Sequence, residues 1–326
     1  MILLYPMNDL LSTGGNMKKA MKIIWIIIAV IIAVLIIGIL LLKVLTSIPV
    51  VRRGYYKNAV VSGEVERVYT GLGDYETAFA EFKCDEEAFK EYRIWYPKEL
   101  EKSNDTYPAV VMANGTGVPS KKYEPVFEHL ASWGFIVIGN NDNESWSGLS
   151  SSKCLDFLIA ENEREESLFF NKIDIKHIGI AGHSQGGVAA INAVTEFDNS
   201  GGFSSRYTAS ATWIDLAVGL KWNYDVKKVS IPYFFVAGTG QADSETISPL
   251  NAMNKAFDDI SGQFTVMARR KNTDHGEMLV NADGYMTAWF CYTLKDDVKA
   301  AKVFTGENPE IETNTQNWQD VRIKDN

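Results

Sequence analysis

The sequence predicts an α/β protein: one doubly wound, mostly parallel sheet with helices on both faces, no large cap above it, and one transmembrane helix in front. Three observations carry this. Strand-like and helix-like runs alternate from Pro108 to Leu294, the order that right-handed crossovers turn into a parallel sheet. The apolar run Ile178-Gly179-Ile180-Ala181 ends in Gly182-His183-Ser184-Gln185-Gly186, and a second apolar-periodic run, Val188 to Val194, begins at once, which reads as strand, sharp turn and helix. Twenty uncharged residues, Ile23 to Leu42, are long enough to cross a hydrocarbon core of ~30 Å.

Taken in order, residues 1–22 form an N-terminal segment, 23–45 the membrane span, 46–57 a linker and 58–326 a single α/β domain. No small-x-small cleavage site follows the span in Lys43 to Pro49, so an uncleaved anchor is expected. Lys18, Lys19 and Lys22 precede it, while Lys43, Arg52, Arg53 and Lys57 follow, so positive charge alone does not orient it. The short basic region before a long apolar run is that of a signal anchor, which puts the N-terminus inside and the large domain outside, a single-pass arrangement. Met17 stands directly before Lys18 as a second candidate start beside Met1.

Within the domain, the segments Glu64 to Tyr69, Thr77 to Phe82 and Tyr92 to Tyr96 alternate in β-rich fashion and predict antiparallel strands at one sheet edge. Pro108 to Ala113 and Phe135 to Ile138 are continuous apolar runs of the buried-strand type, separated by a helical stretch, Tyr123 to Trp133. A charged amphipathic helix is expected at Ser152 to Ser167, ahead of the Ser184 turn. Three further strands are expected at Ala211 to Ile214, Tyr233 to Ala237 and Phe264 to Ala268, with helices at Pro249 to Ile260 and Ala282 to Leu294. In the polar tail from Thr305, Trp318, Val321 and Ile323 recur late and predict a return to the domain surface, with a disordered tail as the alternative.

Composition narrows the function. With 46% hydrophobic and 22% charged residues the chain can bury a large core, and a net charge of −9 without a basic run beyond the span argues against a nucleic-acid partner. Cys84, Cys154 and Cys291 are far apart and lack C-x-x-C spacing, so they predict buried thiols or at most one bridge, and no metal site. No organic cofactor is implied either.

The turn at Ser184 is a nucleophile elbow: it projects a hydroxyl above the strand ends, and Gly182 and Gly186 let strand and helix pass closely. A serine hydroxyl needs a base. Of four histidines, only His275 lies downstream, in a loop after a late strand, and it is the expected base; His129, His177 and His183 are expected to be structural. The acid that orients it should follow the preceding strand, which selects Asp243, with Glu245 as rival, Asp215 as a weaker substitute, and Asp274 set aside because it adjoins the histidine. Backbone N–H donors for an oxyanion are expected at Gln185, after the nucleophile, and at Thr116 in the glycine loop Asn114-Gly115-Thr116-Gly117.

The stretches Val111 to Thr116, Leu130 to Ile138 and Ala181 to Gly187 resemble the cutinase, polyester-hydrolase and chlorophyllase branch of the α/β-hydrolase fold, over roughly Tyr92 to Thr305. The resemblance implies a Ser–Asp–His hydrolase whose oxyanion donors map onto Gln185 and Thr116. Where bacterial cutinases often carry methionine after the serine, Gln185 stands here.

The expectation is therefore a membrane-anchored serine hydrolase that cleaves a small or lipid-like carboxylic ester through an acyl-enzyme on Ser184. Two alternatives are an acyltransferase with the same residues and a non-catalytic binding protein on the same fold. The short connection before Tyr233 predicts an open site, with Trp146, Trp213 and Trp222 as candidate walls.

Overall fold

The computed structural model describes residues 21–38 and 48–325. Residues 1–20 of the expected N-terminal segment, with both candidate starts, lie outside them, as do residues 39–47 of the expected span and linker. Helix α1, Met21–Gly38, is apolar and long enough to cross a membrane. It belongs to one compact unit; the residues from Pro49 onward form the other.

That second unit is built on a sheet that has nine strands among the described residues, in the order β1-β2-β4-β3-β5-β6-β7-β8-β9. Helix α2 (Glu64–Thr70) precedes strands β1 (Thr77–Lys83), β2 (Glu91–Pro97) and β3 (Tyr107–Ala113), then α3 (Glu124–Ser132), β4 (Ile136–Asn140), α4 (Leu149–Glu163) and β5 (Ile173–His183). After the turn come α5 (Gln185–Ala193), β6 (Ser205–Ala209), α6 (Ile214–Gly219), β7 (Tyr233–Gly238), α7 (Leu250–Asp259) and β8 (Thr265–Arg270). Helices α8 (Met278–Asn281), α9 (Asp283–Lys295), α10 (Val298–Ala301) and α11 (Glu310–Thr313) lead to β9 (Trp318–Lys324).

Strands β3 to β8 run parallel, while β1, β2 and β9 are antiparallel at the edges. β5 lies mid-sheet between β3 and β6, so a residue at its C-terminal end stands where ligands bind in doubly wound folds. One face of the sheet packs Val126, Phe127 and Leu130 of α3 and Trp289 and Phe290 of α9. The other packs Leu155 and Leu158 of α4 and Ile191 of α5.

Three expectations are corrected. Glu64–Thr70 is a helix, not a strand: Val65, Val68 and Tyr69 recur at helical spacing, and the half-buried Glu310 carboxylate accepts from Val65 N–H and Glu66 N–H at 2.7 and 2.8 Å. The strand expected at Ala211 to Ile214 lies earlier, at Ser205–Ala209. Its second residue, Arg206, is fully buried with its guanidinium 3.3 Å from the centroid of the Tyr233 ring, an aromatic partner that a linear reading does not reveal. The helix expected from Ser152 begins at Leu149 and ends at Glu163. The tail returns as expected, adding β9 to β8, with Trp318 buried and its Nε1–H donating to Glu66 at 3.0 Å.

Candidate active site

The turn after β5 holds Ser184 at φ 59° and ψ −122°, a region costing about 1–3 kcal/mol for a non-glycine residue. Its N–H donates to Ala209 O at 3.0 Å. The glycines there are obligatory for packing: a Cβ on Gly182 would stand 1.9 Å from Gly186 O, and one on Gly186 2.2 Å from Ala113 O. Strand, turn and helix thus pass at backbone contact, and the hydroxyl is left half-exposed.

His275 opens a single turn after β8, His275–Glu277. Its Nε2 is 3.0 Å from Ser184 Oγ and its Nδ1 2.8 Å from Asp243 Oδ1. Asp243 is fully buried at the start of a π-helical turn after β7, Asp243–Ile247. Its other oxygen accepts from Ser210 Oγ at 2.5 Å and Gly238 N–H at 2.7 Å. Burial alone would push this carboxyl up, but the donors on His275, Ser210 and Gly238 hold it below the usual carboxylate range. An ionised Asp243 only accepts, so the imidazole proton sits on Nδ1 and Nε2 is left to accept from the serine.

The rivals stand elsewhere. Glu245 is exposed and accepts from Gln241 at 3.1 Å. Asp215 lies in the first turn of α6, lining a separate cavity with Trp213 and Tyr224. His129 is buried with Nδ1 3.0 Å from Asp283 Oδ2, and His177 pairs with Asp174 at 2.6 Å. Burial and then the neighbouring His275 push His183 down to about 4, so its neutral ring donates from Nε2 to His275 O at 2.8 Å.

Sequence reasoning missed several supports. Asp274 Oδ1 accepts from His275 N–H at 2.8 Å and Asp243 N–H at 3.2 Å, while Oδ2 takes Ala242 N–H at 3.2 Å. One carboxylate therefore ties the two loops together, and only its adjacency to His275 could have flagged it. Asn114 is buried and donates to Asn140 O at 2.8 Å and Asp142 O at 2.9 Å, fixing the loop Gly115–Val118. In that loop Val118 N–H donates to Gly115 O at 3.1 Å and Gly117 adopts φ 64°, which leaves Thr116 exposed at the tip of a tight turn. Gln185 N–H, in the first residue of α5, has no acceptor within its own helix.

A cavity of about 340 Å³ opens at Ser184, His275, Thr116 and Gly115, with Met112, Val118, Met278, Leu279 and Met286 among its walls. None of Trp146, Trp213 and Trp222 lines it; Trp213 turns to the neighbouring cavity instead, and Tyr123 and Tyr207 are the aromatic residues in this wall. Among the described residues no group of three or more His, Cys, Asp or Glu could hold a metal ion. The three cysteines are free, and burial pushes the thiols of Cys154 and Cys291 up to about 12.

A family model described as PET hydrolase-like matches residues 68–321. The chain belongs to this family. It is also similar to Cutinase est1 of Thermobifida alba, 24% identical over 172 residues that cover 50% of each chain. With Cutinase est2 of Thermobifida alba it shares 27% identity over 108 residues, 32% of this chain and 34% of the relative. The chain thus spans about half the length, or less, of these relatives. Family membership and the mostly parallel sheet make it an α/β-hydrolase.

Proposed function

We propose that this protein is a serine hydrolase of carboxylic esters, with Ser184 as nucleophile, His275 as general base and Asp243 as the acid that orients it. The observation that carries the reading is the pair of contacts at 3.0 and 2.8 Å that joins hydroxyl, imidazole and carboxylate in one line. Nε2 takes the hydroxyl proton as Oγ attacks the ester carbonyl. Asp243 stabilises the imidazolium so formed. The backbone N–H groups of Gln185 and Thr116 hold the oxyanion. The imidazolium then protonates the departing alkoxide, and water resolves the acyl-enzyme by the same route in reverse. The names hydrolase and cutinase attached to the family and its relatives support the same reaction class.

The test is hydrolysis of 4-nitrophenyl butyrate by the full chain. Turnover by the wild type and a loss of about 10³-fold or more in Ser184→Ala is expected; equal rates in the two would refute the role of Ser184. Adding a competing alcohol and analysing the products separates hydrolysis from acyl transfer.

We further propose that α1 is a retained, single-pass anchor with the catalytic domain on the extracytoplasmic side; the apolar length of the helix supports the span, and the short basic region Lys18, Lys19 and Lys22 ahead of its apolar run supports the sidedness. Retention in membranes after alkaline carbonate washing is expected. A mature chain released into the soluble fraction and beginning beyond Leu42 would show a cleaved leader instead.

A further inference from the structure

The family match begins at residue 68, yet a residue well before it reaches the cavity at Ser184: Val50 forms part of the cavity wall. We propose that the segment from Pro49 to Tyr56, which precedes the family-matched region, is a specificity element in which Val50 narrows the cavity so that it takes one aliphatic arm of the ester. This rests on the reading of Ser184 as an ester-cleaving nucleophile.

The segment is fastened to the domain. Val50 N–H and Val51 N–H donate to Lys122 O at 2.8 and 3.2 Å, in the turn that follows the Thr116 loop. Val51 is 1% exposed and Tyr55 6% exposed, with the Tyr55 and Tyr56 rings each 6.0 Å from the His129 ring. Two backbone hydrogen bonds and two buried side chains fix the position of Val50 against the site.

The cavity beside it has depth. Thr116 and Val50 at its mouth are exposed, whereas Tyr207, Met278 and Asp283 in its lining are buried. A ligand arm therefore passes inward from the serine, end-on, and does not lie along a surface groove. Met112, Met278 and Met286 line this space, and unbranched thioether side chains adapt to a flexible alkyl chain. At about 340 Å³ the cavity stands at the low end of the ~300–1,000 Å³ typical of small-molecule sites, room for one arm of a small ester.

The test uses the full chain in nanodiscs and two ester series: 4-nitrophenyl esters from acetate to decanoate, and alkyl acetates from methyl to octyl. Val50 is 44% exposed, so Val50→Phe and Val50→Ala are both compatible with folding. Relative to wild type, Val50→Phe is expected to lower the ratio of kcat/KM for the eight-carbon over the shortest ester at least tenfold in one series, which identifies the arm, and Val50→Ala to raise it. Ratios within twofold of wild type for both variants in both series would overturn the proposal. If wild type cleaves neither series, the enzymatic reading fails, and the wall is read without catalysis through the melting shift given by 1-octanol. A shift in wild type that Val50→Phe abolishes supports the wall; equal shifts, or none, overturn it.

Discussion

Replacing Asp243 by Asn probes the charge and the tautomer together. The carboxylate accepts from His275 Nδ1 at 2.8 Å, Ser210 Oγ at 2.5 Å and Gly238 N–H at 2.7 Å. An amide has one acceptor oxygen. With that oxygen on Ser210 and Gly238, its NH₂ faces Nδ1, the imidazole must carry its proton on Nε2, and Nε2 can no longer accept from Ser184. The charge lost is also one that acts only when His275 becomes cationic. At 2.8 Å and an effective dielectric of ~20, opposite unit charges attract by ~6 kcal/mol, or ~10⁴ in rate. Steady-state hydrolysis of 4-nitrophenyl butyrate should therefore show kcat for Asp243→Asn down by about 10³–10⁴, with KM little changed. The exposed rival Glu245→Gln should stay within about threefold of wild type. A tenfold or smaller loss in Asp243→Asn, or a larger loss in Glu245→Gln, would refute the assignment of the acid.

Ser184→Gly relieves a backbone strain of about 1–3 kcal/mol at φ 59° that Ser184→Ala retains, against about 0.5–1 kcal/mol of extra unfolded-state entropy; the glycine variant should melt a few degrees higher, and a lower melting point would contradict the strain. Asp274→Ala removes the acceptor shared by His275 N–H, Asp243 N–H and Ala242 N–H, so kcat should fall about 10–100-fold while circular dichroism stays native; an unchanged kcat would show that the loops hold without it. Burial pushes Asp283 up to about 6 from an unfolded value of ~4, so the folded state binds the extra proton, and this contribution to stability is present below pH ~4 and lost as pH rises through about 6. Asp283→Asn should remove that part of the melting-temperature slope, and an unaltered slope would place the titration elsewhere. Trp318→Ala empties a site that is 1% exposed and should cost about 3–5 kcal/mol in a denaturant titration; a change below 1 kcal/mol would mean that the tail contributes little to the fold.

Much of the architecture was legible because the parallel strands are continuous apolar runs bounded by loops, and because Gly182-His183-Ser184-Gln185-Gly186 joins a strand to a helix. Ser184, His275 and Asp243 could be named from chain order, and their side chains stand in hydrogen-bond contact. What escaped depends on contacts remote in sequence. Glu66 is buried by donors from Asn314, Asn317 and Trp318, which reach it from the opposite end of the chain and set its surroundings as a helix. Arg206 hides a strand because a charged residue reads as surface until Tyr233 is seen beneath it. Asp274 was set aside because its side chain cannot turn back on the ring beside it, yet it binds the backbone of both catalytic-loop candidates. Val50 lies in what composition presents as a linker, and only the fold brings it to the cavity.

The most direct test of the central claim is covalent labelling of the full chain with a fluorophosphonate, followed by peptide mapping. Stoichiometric modification of Ser184, absent in Ser184→Ala and slowed at least a hundredfold in His275→Ala, is the predicted result. Folded protein that takes up no label, or that carries it on another residue, would contradict the claim that His275 activates the Ser184 hydroxyl.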